Sequence, residues 1–307
     1  MTARFVLSLD CEGRWGMADR LTPGLRDALS DQPLREAYRG LLDLLDEFRM
    51  PATFAFVGLF SLDPRLMREL HPGVRELARH FPDYLGPALA ELESPAAQGW
   101  HGDWAIEATR GARMPHELAL HGATHVPWDH PAMTADLARR ELALIHDAGI
   151  PLTSEATTYI YPRNAVAYPE VLEEFGIVGY RTARGRHSRI GSLLSEFDLT
   201  APPDPDLEPS WPVRVPAGYF VNWLSGPRRA VPRRISVARV RNLLTRAADT
   251  GGVVHLWTHP ENLATAPATL CLLRALLREV ARMRDAGRCE VLTQAEYCRR
   301  LTPTPTT

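Results

Sequence analysis

Short apolar runs recur along almost the whole chain, each followed by a stretch with helical periodicity, and this alternation restricts it to a parallel α/β architecture. The first run is Arg4–Leu9. Leu34, Tyr38, Leu41, Leu42, Leu45 and Phe48 then repeat at helical spacing, Asp31 and Pro33 suit the helix start, and Pro51 ends the pattern before a second buried run, Ala52–Gly58. Further strands are expected at Glu117–Leu120, Thr157–Tyr161, Ile177–Arg181, Gly252–Thr258 and Glu290–Leu292. Helices are expected within 69–92, after the Thr134 cap, and at Pro169–Phe175, Val237–Asp249 and Ala268–Ala286. About seven such units predict an α/β fold of one domain, a distorted (β/α) barrel of about seven parallel strands. Residues 184–234, rich in proline, glycine and arginine, break the rhythm. They read as irregular loops and short strands over one end, with Trp211–Pro216 as the structured piece. The domain is expected over 1–300, and the Thr-Pro tail 301–307 is expected to be disordered.

Composition narrows the partners. With 307 residues, 45% apolar, and a net charge of −2, the chain can bury a sizeable core and carries no field suited to nucleic acid or a membrane surface. No 18-residue apolar stretch could span a membrane. The chain starts directly on a strand rather than a leader, so a cytoplasmic location is expected. Cys11, Cys271, Cys289 and Cys298 lack CxxC spacing and read as reduced thiols, Cys11 as a small core residue. The pairs Arg228-Arg229 and Arg233-Arg234 read as solvated loop. The oligomeric state is left open.

Chemistry-bearing residues fall where strands end, the edge at which parallel α/β folds place their reactive groups. Asp10 and Glu12 follow the first strand and, with a period of two, project to one side. Two carboxylates this close can divide labour, one binding a cation and the other acting as a base. His121 and His125, four apart after Glu117–Leu120, can share a metal ion but need a third ligand. His259 follows another strand, and Pro260 re-aims it. His255, on the same face, reads as a hydrogen-bonded core histidine or as a support to the site.

These motifs, in this order, resemble the polysaccharide deacetylase family (carbohydrate esterase family 4, the chitooligosaccharide deacetylase homology domain). Leu7-Ser8-Leu9-Asp10-Cys11-Glu12 resembles its first motif and Pro51–Gly58 its second-strand signature. Glu117–His125 is similar to its metal-binding HxxxH motif, Tyr161-Pro162-Arg163-Asn164 to its third, and Val253–His259 to its final strand. The resemblance spans nearly the whole chain and implies a polysaccharide-deacetylase-like catalytic domain. It implies Asp10 as base and Glu12 as metal ligand, the two being exchangeable, with His121 and His125 completing the site and His259 as the acid. The implied cofactor is a divalent ion, Zn2+ first, with Co2+, Mn2+ or Ni2+ as alternatives. The implied reaction is hydrolysis of an N-acetyl group on an amino sugar or sugar-containing biosynthetic intermediate.

The chain departs from the family pattern in three places. Its acids are separated by Cys11, Gly122 replaces the usual Ser or Thr, and Ile160 stands where an arginine normally precedes the proline. Arg163, after the proline, is expected to orient the base instead. Tyr161, Asn164, Trp128 and Trp211 are the expected substrate contacts, the two tryptophans as sugar platforms. A cyclic amide or ureide hydrolase of the allantoinase type is the alternative enzyme. An inactive metal- or sugar-binding module is the alternative from outside enzymology.

Overall fold

Side-chain alternation along the first strand, β1 (Ala3–Cys11), decides how the molecule is layered. Phe5, Leu7, Leu9 and Cys11 are fully buried in the main core, under the surrounding helices. Val6, Ser8 and Asp10 point the other way. Val6 packs with Val213, Val215, Val253, Leu292 and Tyr297, while Ala55, Ala119 and Ile160 form a second small cluster. These residues line the inner face of a curled sheet. Each fully buried Phe or Leu contributes roughly 1.5–3 kcal/mol to folding. The computed structural model describes residues 1–94, 97–185 and 189–301; the tail from 302 onward lies outside the described residues.

The other strands are β2 (Thr53–Phe56), β3 (Glu117–Leu120), β4 (Thr158–Ile160), β5 (Gly179–Arg181), β6 (Val213–Val215), β7 (Tyr219–Phe220), β8 (Val253–Thr258) and β9 (Cys289–Leu292). All pairings between these strands are parallel, in the order β6-β5-β4-β3-β2-β1-β8-β7, and Asp204 adds an isolated antiparallel bridge to Val253. β9 pairs with Ala3–Val6 at the start of β1, and β2 pairs with Ser8–Cys11 at its end. Among the described residues no pairing joins β6 to β7, so the barrel is open. The sheet has two strands beyond the seven strand–helix units, both from the proline-rich stretch: β6, inside the expected piece Trp211–Pro216, and β7, which extend its two ends.

Most helices match the apolar spacing. Asp31–Phe48 buries Leu34, Tyr38, Leu41 and Leu45 and stops at Arg49 in the left-handed region. The region 69–92 is two helices, Pro64–Ala78 and Pro82–Leu92. The first helix ends with Arg79 as its C-cap, and Pro82 takes a first-turn position of the second, where its missing N–H costs nothing. Helix Ala135–His146 opens on Thr134, whose hydroxyl accepts from the Leu137 N–H. The register leaves the strand ends level: Leu9 faces Thr258, Cys11 faces Phe56, Phe56 faces Leu120 and Ile160 faces Arg181. Asp10, Glu12, His121 and His259 therefore leave the sheet at one edge.

Candidate active site

Asp10 is buried on the inner face of β1 and held by an arginine. Arg181, the last residue of β5, donates from Nη1 to Oδ1 (2.8 Å) and from Nη2 to Oδ2 (2.6 Å) in a two-pronged pair. Burial alone would raise the Asp10 carboxyl; the Arg181 charge, with His121, carries it below its usual value. Arg181 is itself 1% exposed. It also donates to Ser8 Oγ (3.0 Å) and Asn164 Oδ1 (2.9 Å), and lies 4.7 Å from the centre of the Trp257 ring. Ser8 bonds His255 Nε2 (2.8 Å), whose Nδ1 is 2.7 Å from the Pro216 carbonyl. Burial and the Arg181 charge push His255 down to about 3, so it stays neutral, its Nδ1–H donating and its Nε2 accepting. His255 thus braces the base through Ser8 and Arg181.

Arg163 does not make the expected contact with Asp10. It donates to Asp19 Oδ1 (2.5 Å) and the Tyr84 hydroxyl (3.3 Å) and sits over the Tyr84 ring. Its place in a left-handed turn (φ 56°) after Pro162 turns it to the cleft wall, and the cation for Asp10 comes one strand further along.

Glu12 lies where three imidazoles converge. Its Oε1 is 3.1 Å from His121 Nε2, 3.0 Å from His125 Nε2 and 3.3 Å from His259 Nε2. Burial works against its charge, but the charges of His125 and His259 hold its carboxyl well below the ordinary range. His121 Nδ1 is 2.8 Å from the Ile160 carbonyl, which requires the N–H there and leaves a lone pair on Nε2. A lone pair aimed at a carboxylate oxygen is repulsive unless a cation lies between them. Glu12, His121 and His125 offer two imidazole nitrogens and one carboxylate oxygen within 4.8 Å of one another, a donor set that fits a divalent ion.

The loop bearing the histidines is held from below by Glu141. Its Oε1 accepts from the Ala123 N–H (2.7 Å), the Thr124 N–H (2.6 Å) and the Thr124 hydroxyl (2.9 Å). Gly122 (φ 72°) adopts the left-handed region freely as a glycine, but His125 (φ 63°) is strained there, and the turn needs this support. Opposite, Glu261 accepts from the N–H groups of Glu12 (3.0 Å) and Gly13 (2.6 Å). Burial and the Glu12 charge push Glu261 up to about 8.

Gly16 completes the pocket for Glu12, because a Cβ there would stand 1.7 Å from Glu12 Oε2. Gly16→Ala is expected to push the carboxylate off the two imidazoles and weaken divalent-ion affinity about 10–100-fold. Titration calorimetry with zinc on folded protein measures this, and unaltered affinity would separate Gly16 from the site.

His259 Nε2 stands 3.9 Å from Asp10 Oδ2, and its Nδ1 is 3.2 Å from the Asn262 side-chain amide. Burial disfavours its charge, but Glu12 and Asp10 outweigh burial and push it up to about 9. These residues open on a cavity of about 280 Å³, lined also by Met17, Leu25, Phe220, Trp223, Trp257 and Asn164.

The expected sugar contacts divide. Asn164 lines the cavity. Trp128 and Tyr161 are buried in an aromatic cluster with Tyr159 and touch no open space. Trp211 is half exposed and lies outside the cavity lining. The strands bearing Trp257 and Phe220 put those rings, 4.7 Å apart, beside His259 instead. Arg181, Glu141 and Glu261 are the supports that reading the sequence missed.

No protein-family model and no curated protein sequence matches the chain. Solved structures do match. A Mycobacterium smegmatis protein named as a polysaccharide deacetylase superposes with a TM-score of 0.60 at 20% identity, over 100% of this chain and 94% of its own. A Pseudomonas aeruginosa PAO1 protein named in the same way gives 0.57 at 11% identity, over 97% and 90%. The PuuE allantoinase gives 0.56 at 14% identity, over 97% and 89%. The chain has the fold of the polysaccharide deacetylases along its whole length.

Proposed function

We propose that this protein is a metal-dependent hydrolase that removes an N-acetyl group from an amino sugar or a sugar-containing intermediate. The observation that carries this reading is one edge of the sheet holding an arginine-bound carboxylate, a Glu-His-His cluster and a third histidine around a single cavity. A divalent ion held by Glu12, His121 and His125, with zinc the best match to two imidazoles and a carboxylate, would polarise the amide carbonyl and make the attacking water more acidic.

The protein's own groups supply the rest. Asp10, kept ionised by Arg181, takes a proton from the water as it attacks. His259 gives a proton to the departing sugar nitrogen, without which the leaving group would be an amide anion. Asn262 orients His259, and Glu261 fixes the backbone of Glu12. Phe220, Trp223 and Trp257 give the cavity the apolar wall that a sugar face requires. A pure binding module has no use for a proton acceptor and a proton donor side by side next to a Glu-His-His cluster, and this disfavours the inactive reading.

The test is a screen for acetate release over N-acetylated sugars and sugar nucleotides with added zinc or cobalt, with cyclic ureides as the competing arm. Acetate release that stops with a chelator is expected. Turnover of ureides alone would overturn the substrate, and turnover unaffected by chelator would overturn the ion's role.

A further inference from the structure

Beside the cleft lies a second cavity of about 200 Å³ that shares Asn164, Phe220 and Trp257 with it. Its wall carries three arginines, Arg184, Arg228 and Arg239. Resting on the proposed deacetylase reading, we infer that this cavity binds a phosphate group carried by the substrate, so that the enzyme acts on a phosphorylated or nucleotide-linked N-acetyl sugar.

Charge is the first argument. Glu196 takes both Arg228, at Oε1 (3.0 Å), and Arg239, at Oε2 (3.0 Å). Arg184 pairs with Asp204 (2.5 Å). The cavity lining itself holds these three guanidiniums and one carboxylate, Glu196, while Asp204 and Asp198 face Arg184 and Arg239 from outside the lining. The second argument is preorganisation. Arg184 and Arg239 lie over the Tyr219 ring, 3.7 and 4.7 Å from its centre, and Arg228 lies 5.5 Å from that of Phe220. Stacking fixes planar forks that match phosphate oxygens, and such fixing lowers the entropy lost on binding. Arg239 is 7% exposed, and its buried Nε–H has no hydrogen-bond partner among the described residues. Arg184 joins neither the 195–198 turn nor helix Arg233–Thr250; Asp204 and, through Nε, the Gly218 carbonyl (2.7 Å) hold it, fixing a third guanidinium in the same wall. Position is the third argument. The wall common to both cavities is the aromatic pair beside His259, so an anion in one and an amide in the other lie on one molecule.

Two measurements on the full chain test this. The first is calorimetric titration of pyrophosphate into protein without added metal. Wild type is expected to bind, and Arg184→Gln to bind about tenfold more weakly or worse. Arg184→Lys, which keeps the charge but loses the fork, should fall between them. The second compares kcat/KM for N-acetylglucosamine and N-acetylglucosamine 1-phosphate. The phosphorylated amide should be preferred at least about tenfold, and Arg184→Gln should collapse that ratio. Absence of pyrophosphate binding, or equal binding in all three proteins, overturns the inference. So does pyrophosphate binding with equal kcat/KM for the two amides, because the anion is then not the substrate's own. If neither amide is cleaved while the arginine-dependent binding persists, the hydrolase reading fails and the anion site stands.

Discussion

Asp10→Asn is expected to lower kcat for the acetylated substrate by about 10²–10⁴, the range for loss of a positioned general base. That is roughly 3–5 kcal/mol of barrier. Asparagine keeps the shape but cannot take a proton. It also leaves Arg181 buried with half its partner gone, and breaking a buried ion pair costs about 3–5 kcal/mol of stability. Lower activity alone would therefore be ambiguous. The discriminating readout is zinc affinity together with circular dichroism on the same sample. Glu12, His121 and His125 do not depend on Asp10 for their positions, so the variant should still bind zinc while turnover falls. A folded, zinc-loaded Asp10→Asn protein with wild-type kcat would remove Asp10 from the chemistry.

How much of this was legible in the sequence depends on the kind of signal. The strands bearing Asp10, His121 and His259 were readable because each is an apolar run ended by a residue out of character with it. Their convergence follows from parallel pairing, which brings all strand ends to one edge. Glu141 had a weaker signal that went unused: a charged residue in the apolar stripe Leu137, Ala138, Leu142, Ile145 must find partners in the core, and it finds the backbone of the histidine loop. Arg181 was similar, a cation closing a strand at the same edge as the acids. Arg163 does not take the place of the arginine missing at Ile160, because nearness in the chain says nothing of where a left-handed turn aims its side chain. The tryptophans failed for another reason. A ring between prolines can be core or platform, and only packing against Tyr159 and Tyr161 makes Trp128 core. In the proline-rich stretch β6 falls inside the expected structured piece Trp211–Pro216, whereas β7 and the arginine cavity were not legible, since a strand of two residues carries no readable period. Arg228, expected in a solvated loop, pairs with the buried Glu196.

Alanine at both His121 and His125 is expected to abolish stoichiometric zinc binding and, with it, chelator-sensitive turnover. Two of the three donors are lost, and a lone carboxylate does not hold zinc against water at micromolar concentration. The competing location is the group Asp10, Glu12 and His259, whose donor atoms also lie within 4.8 Å of one another. Physical chemistry separates the two before any experiment. Both oxygens of Asp10 already accept from Arg181, so a cation there would face a guanidinium held 2.6–2.8 Å from the same carboxylate. Glu12 has no arginine partner, and His121 has its tautomer set by Ile160 to present a lone pair. Metal analysis of the double variant decides the point. Zinc retained at about one ion per chain would move the ion to Asp10 and His259 and leave the proposed mechanism without a base. Zinc lost from the double variant but kept in His259→Ala would leave His259 free to deliver the proton.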